Sequence, residues 1–198
     1  MNFLAHAYLS FNDPKLLVGN FIGDFVRGDL ENKFEKSIIN GVILHRDIDN
    51  FTDSHPVVKE AQKILKPLYG HYSLVITDMF FDYFLSKFWS QYDDRTLFEF
   101  SQFVYKILDE HNDILPKEFL PTFINMKRQN WLICYGSIDG MRKALTEISK
   151  RATFDSKMET AHMILEKKEE TFKTCFDDFF PDLVAFSKMR LMVLQFER

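Results

Sequence analysis

The amino-acid sequence predicts an all-α fold, a single-domain helical bundle spanning residues 1–198. Three observations predict it. Apolar residues recur at the three- and four-residue spacing of a helix along most of the chain. Glycine (7) and proline (6) are too scarce for the many turns of an all-β protein. No internal repeat, low-complexity tract or Gly/Ser linker divides the 198 residues, a length that suits one ordinary domain.

The elements follow in chain order. Asp13-Pro14 is a helix cap with proline in the first turn, and Leu16, Phe21, Ile22 and Phe25 form the stripe behind it. Residues Glu35 to Phe51 keep the same period, with Ile38, Ile39, Val42 and Ile43 inward. The run Thr52-Asp53-Ser54-His55-Pro56 breaks that helix and starts the next, which carries Val57, Val58, Ala61 and Leu65. Asp53 is either the cap of this next helix or a third member of a polar row on the previous one.

A long helix is expected from about Ser73 to Gln91, stopped by Tyr92-Asp93-Asp94. Another runs from Thr96 to Glu110, with Leu97, Phe100, Phe103, Val104 and Ile107 on one face. Pro116 and Pro121 bracket a loop before a helix to Tyr135, and Gly136 to Gly140 marks a turn. Helices near 139–150, 157–179 and 181–196 complete the chain. Leu191 to Leu194 has strand composition but no evident partner strand. The Phe-rich stripes at 80/84/88, 100/103 and 172/176/179/180 read as core.

Composition removes several function classes. The net charge of −4 gives no overall attraction to nucleic acid or to an anionic membrane. Glu166 to Glu170 is a solvated face of mixed charge. Cys134 and Cys175 lack any C-x-x-C spacing, which leaves a zinc ribbon and a redox pair unsupported and predicts two core thiols. The opening ten residues have no basic leader, and no stretch of roughly 18 apolar residues occurs, so the expectation is a soluble cytoplasmic protein. Nucleophile-elbow, P-loop, dinucleotide-binding and H-E-x-x-H signatures are absent.

Polar residues recur one helical turn apart on otherwise apolar segments. His45 and Asp49 have that spacing, as do Asn20 and Asp24, and Asp78 and Asp82. His6 stands in the opening segment. Carboxylates in apolar surroundings are costly unless satisfied, and a cation held between facing helices satisfies several at once. Imidazole mixed with carboxylates suits Mn, Fe or Zn better than calcium. The competing reading pairs Asp24 with Arg27 and Asp82 with Lys87 as salt bridges. Asp47, about 200° from His45 on the helical wheel, is expected to face solvent. His55, His71, His111 and His162 are expected in turns or on charged faces, without a functional role.

At these residues the sequence resembles the acyl carrier protein phosphodiesterases. The resemblance is carried by Asn2-Phe3-Leu4-Ala5-His6, by Gly19 to Gly28, and by His45-Arg46-Asp47-Ile48-Asp49-Asn50-Phe51-Thr52-Asp53. Asp78 to Leu85 with Trp89, and Met126 through Trp131-Leu132 to Tyr135, extend it over nearly the whole chain. It implies a divergent, HD-like, all-α phosphohydrolase with a divalent metal, Mn2+ first and Mg2+ or Fe2+ as alternatives. The ordinary HD signature is not kept, since His45 is followed by Arg46. The implied reaction is hydrolysis of the phosphodiester joining 4′-phosphopantetheine to a serine of holo acyl carrier protein.

Under that resemblance Asp24, His45 and Asp78 are the expected metal ligands, and Asp49 and Asp82 are ligands, orienting groups or bases. Arg27 and Arg46 are candidates for steadying the phosphate. His6 either protonates the departing serine oxygen or braces a ligand. An acidic carrier protein and a negatively charged enzyme require basic groups near the mouth of the site, for which Lys36 and Arg128 are the candidates, beside Lys33 and Lys127. Two rivals stand beside this reading: a phosphohydrolase of nucleotides or other small diesters, and a non-catalytic binding protein that keeps a residual site.

Overall fold

The computed structural model describes residues 1–196. Each helix forms where local chemistry starts or stops it. The first, α1 (Phe3–Tyr8), was not expected as an element; it is too short to show a period. Asp13 accepts from the amides of Lys15 (2.9 Å) and Leu16 (3.0 Å) and opens α2 (Pro14–Ile22), which tightens into a 3-10 turn at Gly23–Phe25. After a loop, α3 (Lys36–Ser54) runs to the breaker and α4 (Pro56–Tyr69) starts on Pro56. Asp53 caps nothing, because the residue at the start of α4 is His55, with no side-chain cap.

Next come α5 (Ser73–Lys87), α6 (Leu97–Glu110), α7 (Leu120–Gln129), α8 (Trp131–Cys134) and α9 (Ile138–Ser149). Thr96 and Glu99 close a capping box on α6, and α7 ends where Asn130 turns left-handed at φ 47°. The helix expected to reach Gln91 stops at Lys87, with 89–91 in a 3-10 turn. The last elements are α10 (Ala161–Lys167) and α11 (Glu169–Phe196). Two helices meeting at Pro181 were expected; α11 runs through it. Proline removes one backbone bond, but Phe176, Phe179, Phe180 and Leu183 on either side are buried, which holds both halves in line. Leu191 to Leu194 is helical, and among the described residues there is no strand.

The helix α5 is buried on nearly all sides and forms the axis of the core. Around it, α11 packs against α3, α4 and α5, while α1 lies between α2 and α5. Most of the Phe stripes are core; Phe88 and Phe103 lie at its margin. No helix among the described residues is long and apolar enough to cross a membrane.

Three surface expectations change. Asp47 is paired with Arg190 at 2.6 Å, because α11 covers the face of α3 opposite His45. His55 is half-buried between the rings of Phe51 and Phe179, with centroids 5.4 and 5.0 Å away. Cys134 is exposed, since the single-turn α8 cannot wrap it, and Cys175 is half-buried beside the inward Phe172 and Phe176.

The strongest helix pair is α2 on α3, and the contact is made backbone to backbone at Gly19 and Gly41. A side-chain carbon on Gly19 would lie 2.0 Å from the Ile38 carbonyl oxygen and 2.8 Å from the Gly41 Cα. That close crossing brings Asn20, Gly23 and His45 within reach of one another.

Candidate functional site

Four segments converge at the end of the α2–α3 crossing. His6 comes from α1, Asn20 from α2, Asp24 from the 3-10 turn after it, and His45 and Asp49 from one face of α3. The His6 and His45 rings stack with centroids 4.2 Å apart. His6 Nε2 is 3.2 Å from Asp49 Oδ1, and His45 Nε2 is 3.2 Å from both Asp49 Oδ2 and Asp24 Oδ1. One ligand atom from each of His6, His45 and Asp49 falls within a 4.8 Å cluster, an arrangement able to hold a metal ion.

The hydrogen-bond network decides which nitrogen of His6 carries its proton. Asn20 donates its Nδ2 to the His6 carbonyl (2.8 Å) and to Ser10 Oγ (3.1 Å). Its Oδ1 is therefore an acceptor, and His6 Nδ1 donates to it at 2.7 Å. Burial and the neighbouring His45 ring hold the His6 pKa below its ordinary 6.5, which keeps the ring neutral. A neutral ring protonated on Nδ1 turns the bare lone pair of Nε2 toward a carboxylate oxygen. Two lone pairs facing each other at 3.2 Å repel, and a cation between them removes the repulsion.

His45 points the same way. Both of its ring nitrogens are buried, and neither has a well-aligned hydrogen-bond partner, although two carboxylate oxygens lie 3.2 Å from Nε2. Burial opposes the charge of Asp49, while the Met1 ammonium 3.5 Å away favours it. Asp24 is held low by its contact with His45, against a smaller cost of burial. The donor set therefore fits a divalent ion of borderline character: two imidazoles and one or two carboxylates.

The two aspartates of α5 do different work. Asp82 is fully buried; its Oδ2 accepts from the Leu4 amide at 2.8 Å and its Oδ1 from the Ala5 amide at 3.2 Å. It anchors the start of α1, and through α1 it sets the position of His6. Burial drives its pKa up to about 7, against the pull of those two amides. Asp78 lies 3.2 Å from the Met1 amine, and burial raises its pKa. Burial disfavours charge on that amine, yet Asp78 and Asp49 more than offset this and lift its pKa to about 10. Neither alternative salt bridge forms, for Asp24 meets His45 and Lys87 meets Glu169.

Arg46 donates from Nη2 to the Val26 carbonyl at 2.8 Å, which ties down the loop that follows Asp24. With Arg27, Asp24, His45, Asp49 and Asn50 it lines an open cavity of about 350 Å3. Lys36 and Arg128 are not brought to this cavity: Lys36 begins α3 and is exposed, and Arg128 donates to Asn125 on α7. Lys127 pairs with Asp109.

Sequence reasoning gave Asn20 no proton-fixing role and gave Gly23 none at all. A side-chain carbon on Gly23 would lie 2.3 Å from His45 Cγ and 2.4 Å from Cδ2. Gly23→Ala should therefore push the His45 ring out of place, and a displacement near 1 Å costs roughly a hundredfold in rate. Steady-state kinetics with a far-UV spectrum checks this; wild-type kcat/KM in Gly23→Ala would show that the ring position is immaterial.

Comparison with known proteins bears on what this site does. A family model described as "Acyl carrier protein phosphodiesterase" matches residues 1–183. Relatives named "Acyl carrier protein phosphodiesterase" from Escherichia coli O139:H28 (strain E24377A / ETEC), O9:H4 (strain HS) and strain K12 / DH10B are each 31% identical over 189 residues. The alignment covers 93% of this chain and 96% of each relative. No solved structure matches the chain.

Proposed function

We propose, because the chain belongs to the acyl carrier protein phosphodiesterase family, that it hydrolyses the phosphodiester between 4′-phosphopantetheine and a serine of holo acyl carrier protein. The products are apo carrier protein and free 4′-phosphopantetheine, and the reaction belongs in the cytoplasm. Its metal dependence rests on one observation, the bare His6 Nε2 lone pair facing Asp49 at 3.2 Å.

His6, His45 and Asp49 would hold a divalent ion, Mn2+ in this reading, with Asp24 beside His45 on the exposed side. His6 thus takes the ligand place expected of Asp78, whose carboxylate is turned to the Met1 amine. The ion, when bound, supplies positive charge for the phosphoryl oxygens and lowers the pKa of water there. Asp24, ionised and exposed, accepts the proton of the attacking water. Arg27, in the same open cavity, and the free side of Arg46 meet the phosphate oxygens as planar donors. The water oxygen bonds to phosphorus, the bond from phosphorus to the serine oxygen breaks, and Asp24 passes the proton it took from the water to that leaving oxygen. Asp82 acts at a distance, as the anchor of α1.

The test is incubation of the purified chain and Mn2+ with holo carrier protein, read by mass spectrometry. The expected result is loss of the phosphopantetheine mass, abolished by chelation and restored by Mn2+. An unchanged mass overturns the reading. Equal kcat/KM on bis-p-nitrophenyl phosphate or on a cyclic nucleotide moves the assignment to the small-diester rival.

The His6 pKa, held below 6.5 by burial, sets the acid limb of the pH profile. Neutral His6 is the working form, so activity is lost as pH falls through its lowered pKa. We expect kcat/KM to fall on acidification, first as Asp82, the anchor of α1, takes a proton near pH 7 and further below pH 6.5 as His6 does. A profile that rises on acidification through this range would show that protonated His6 is the working form.

A further inference from the structure

A second cavity, of about 530 Å3, takes part of its lining from chain neighbours of the metal-ligand cluster. Its near wall is Phe3 and Phe25: Phe25 follows Asp24 directly, and Phe3 lies two residues from the Met1 amine that touches Asp49. The far wall is Trp131 and Tyr135 with Ala144 and Ile148 of α9. The walls are braced ring on ring, Phe3 against Phe21 at 5.6 Å and Trp131 at 6.3 Å, and Phe25 against Phe119 at 5.1 Å. Its polar lining comprises Asn2, Thr122 and Gln129, the last accepting from Trp131 Nε1 at 3.1 Å, and the exposed, mixed charges Lys143, Glu147 and Arg151 on the α9 side.

A phosphodiester has two organic substituents, and in the proposed reaction they differ greatly in size. The serine side is a folded protein and cannot enter a cavity of 530 Å3. The other side is a narrow, uncharged arm with two amides, and the volume lies within the roughly 300–1,000 Å3 of small-ligand pockets. Aromatic walls with separate amide and hydroxyl groups suit such an arm, and the mixed charge of Lys143, Glu147 and Arg151 offers no single-sign site for an acidic peptide. We propose, resting on the function above, that this cleft holds the 4′-phosphopantetheine arm during cleavage. Its phosphate lies at Asp24 and His45, and its chain crosses Phe25 and Phe3 toward Trp131 and Cys134. The cleft then sets specificity, and the cluster alone serves any diester.

Cys134 lines the cleft and is exposed, which makes it a native reporter, while the half-buried Cys175 lies on α11 and serves as the internal control. N-ethylmaleimide labelling of the full chain, read peptide by peptide, should slow at least fivefold at Cys134, and not at Cys175, when 4′-phosphopantetheine is added with its thiol capped as the S-methyl thioether, which cannot consume the maleimide. Inorganic phosphate should give no protection. Labelling of Cys134 that is indifferent to 4′-phosphopantetheine, or slowed equally by phosphate, overturns the proposal.

Ala144→Trp should fill the cleft and lower kcat/KM on holo carrier protein at least tenfold, with bis-p-nitrophenyl phosphate turnover unchanged. Ile148→Phe, a smaller change on the same wall, repeats the test should Ala144→Trp fail to fold. Wild-type kcat/KM on holo carrier protein in a folded cleft variant overturns the cleft assignment alone. An inactive wild-type chain overturns the proposed reaction, whereas the labelling result judges the cleft without it.

Discussion

His45→Ala should lower kcat/KM on the order of a thousandfold and abolish tight Mn2+ binding, while the far-UV spectrum stays helical. The size of the effect follows from geometry. His45 Nε2 lies 3.2 Å from both Asp24 and Asp49, so its loss removes a donor and the hinge between two carboxylates. The ring is buried against His6, and its removal leaves a cavity costing about 1–2 kcal/mol, too little to unfold a domain of this size. Asp49→Asn separates the chemistry further. The new amide donates to the bare His6 Nε2, so Tm should stay within a few degrees of wild type even though activity is lost. Full activity in either variant, assayed with added Mn2+, would remove that residue from the site; a collapse of Tm in Asp49→Asn would show its charge to be structural.

The second large effect is on stability, at a residue remote from any chemistry. Gly19→Ala should cost on the order of 3 kcal/mol, which for a chain of this length lowers Tm by about 10 °C. The new carbon meets only backbone, at 2.0 Å from the Ile38 carbonyl and 2.8 Å from both the Gly41 Cα and the Val42 nitrogen. No side chain can rotate away, so α2 and α3 must separate. Separation also parts Asn20 and Asp24 from His45, and activity should fall with stability. Ser10→Ala, which removes two hydrogen bonds in the same region, is the comparison, with a loss of only about 1–2 kcal/mol. Thermal denaturation of the two variants decides it: equal Tm values would mean that the helices are not held at backbone contact.

The all-α class, the caps at Asp13 and Thr96 and the inward faces of α3, α5 and α6 are local properties. A side chain's place on a helix depends on its neighbours within four residues, and the sequence by itself determined them. The same period placed His45 and Asp49 on one face, and Asp78 and Asp82 on another. Asn20 and Asp24 both reach the site, Asp24 from an exposed turn because α2 tightens after Ile22. Pro181 misled, since burial of the surrounding phenylalanines outweighs one missing backbone bond.

Only the tertiary structure decided which polar faces meet. Asp82 spends its oxygens on the Leu4 and Ala5 amides and so delivers His6, whose six-residue helix has no readable period. The tautomer of His6 depends on Asn20, fourteen residues away, and Asn20 is fixed in turn by Ser10 and the His6 carbonyl. Two glycines set the distance between α2 and α3, and α1, packed on α2 and α5, brings His6 to stack at 4.2 Å on His45. Periodicity reports the direction of a side chain within its own helix. Convergence on a metal-sized cluster depends on how closely separate helices cross, and that distance is set by backbone contact far from it in sequence.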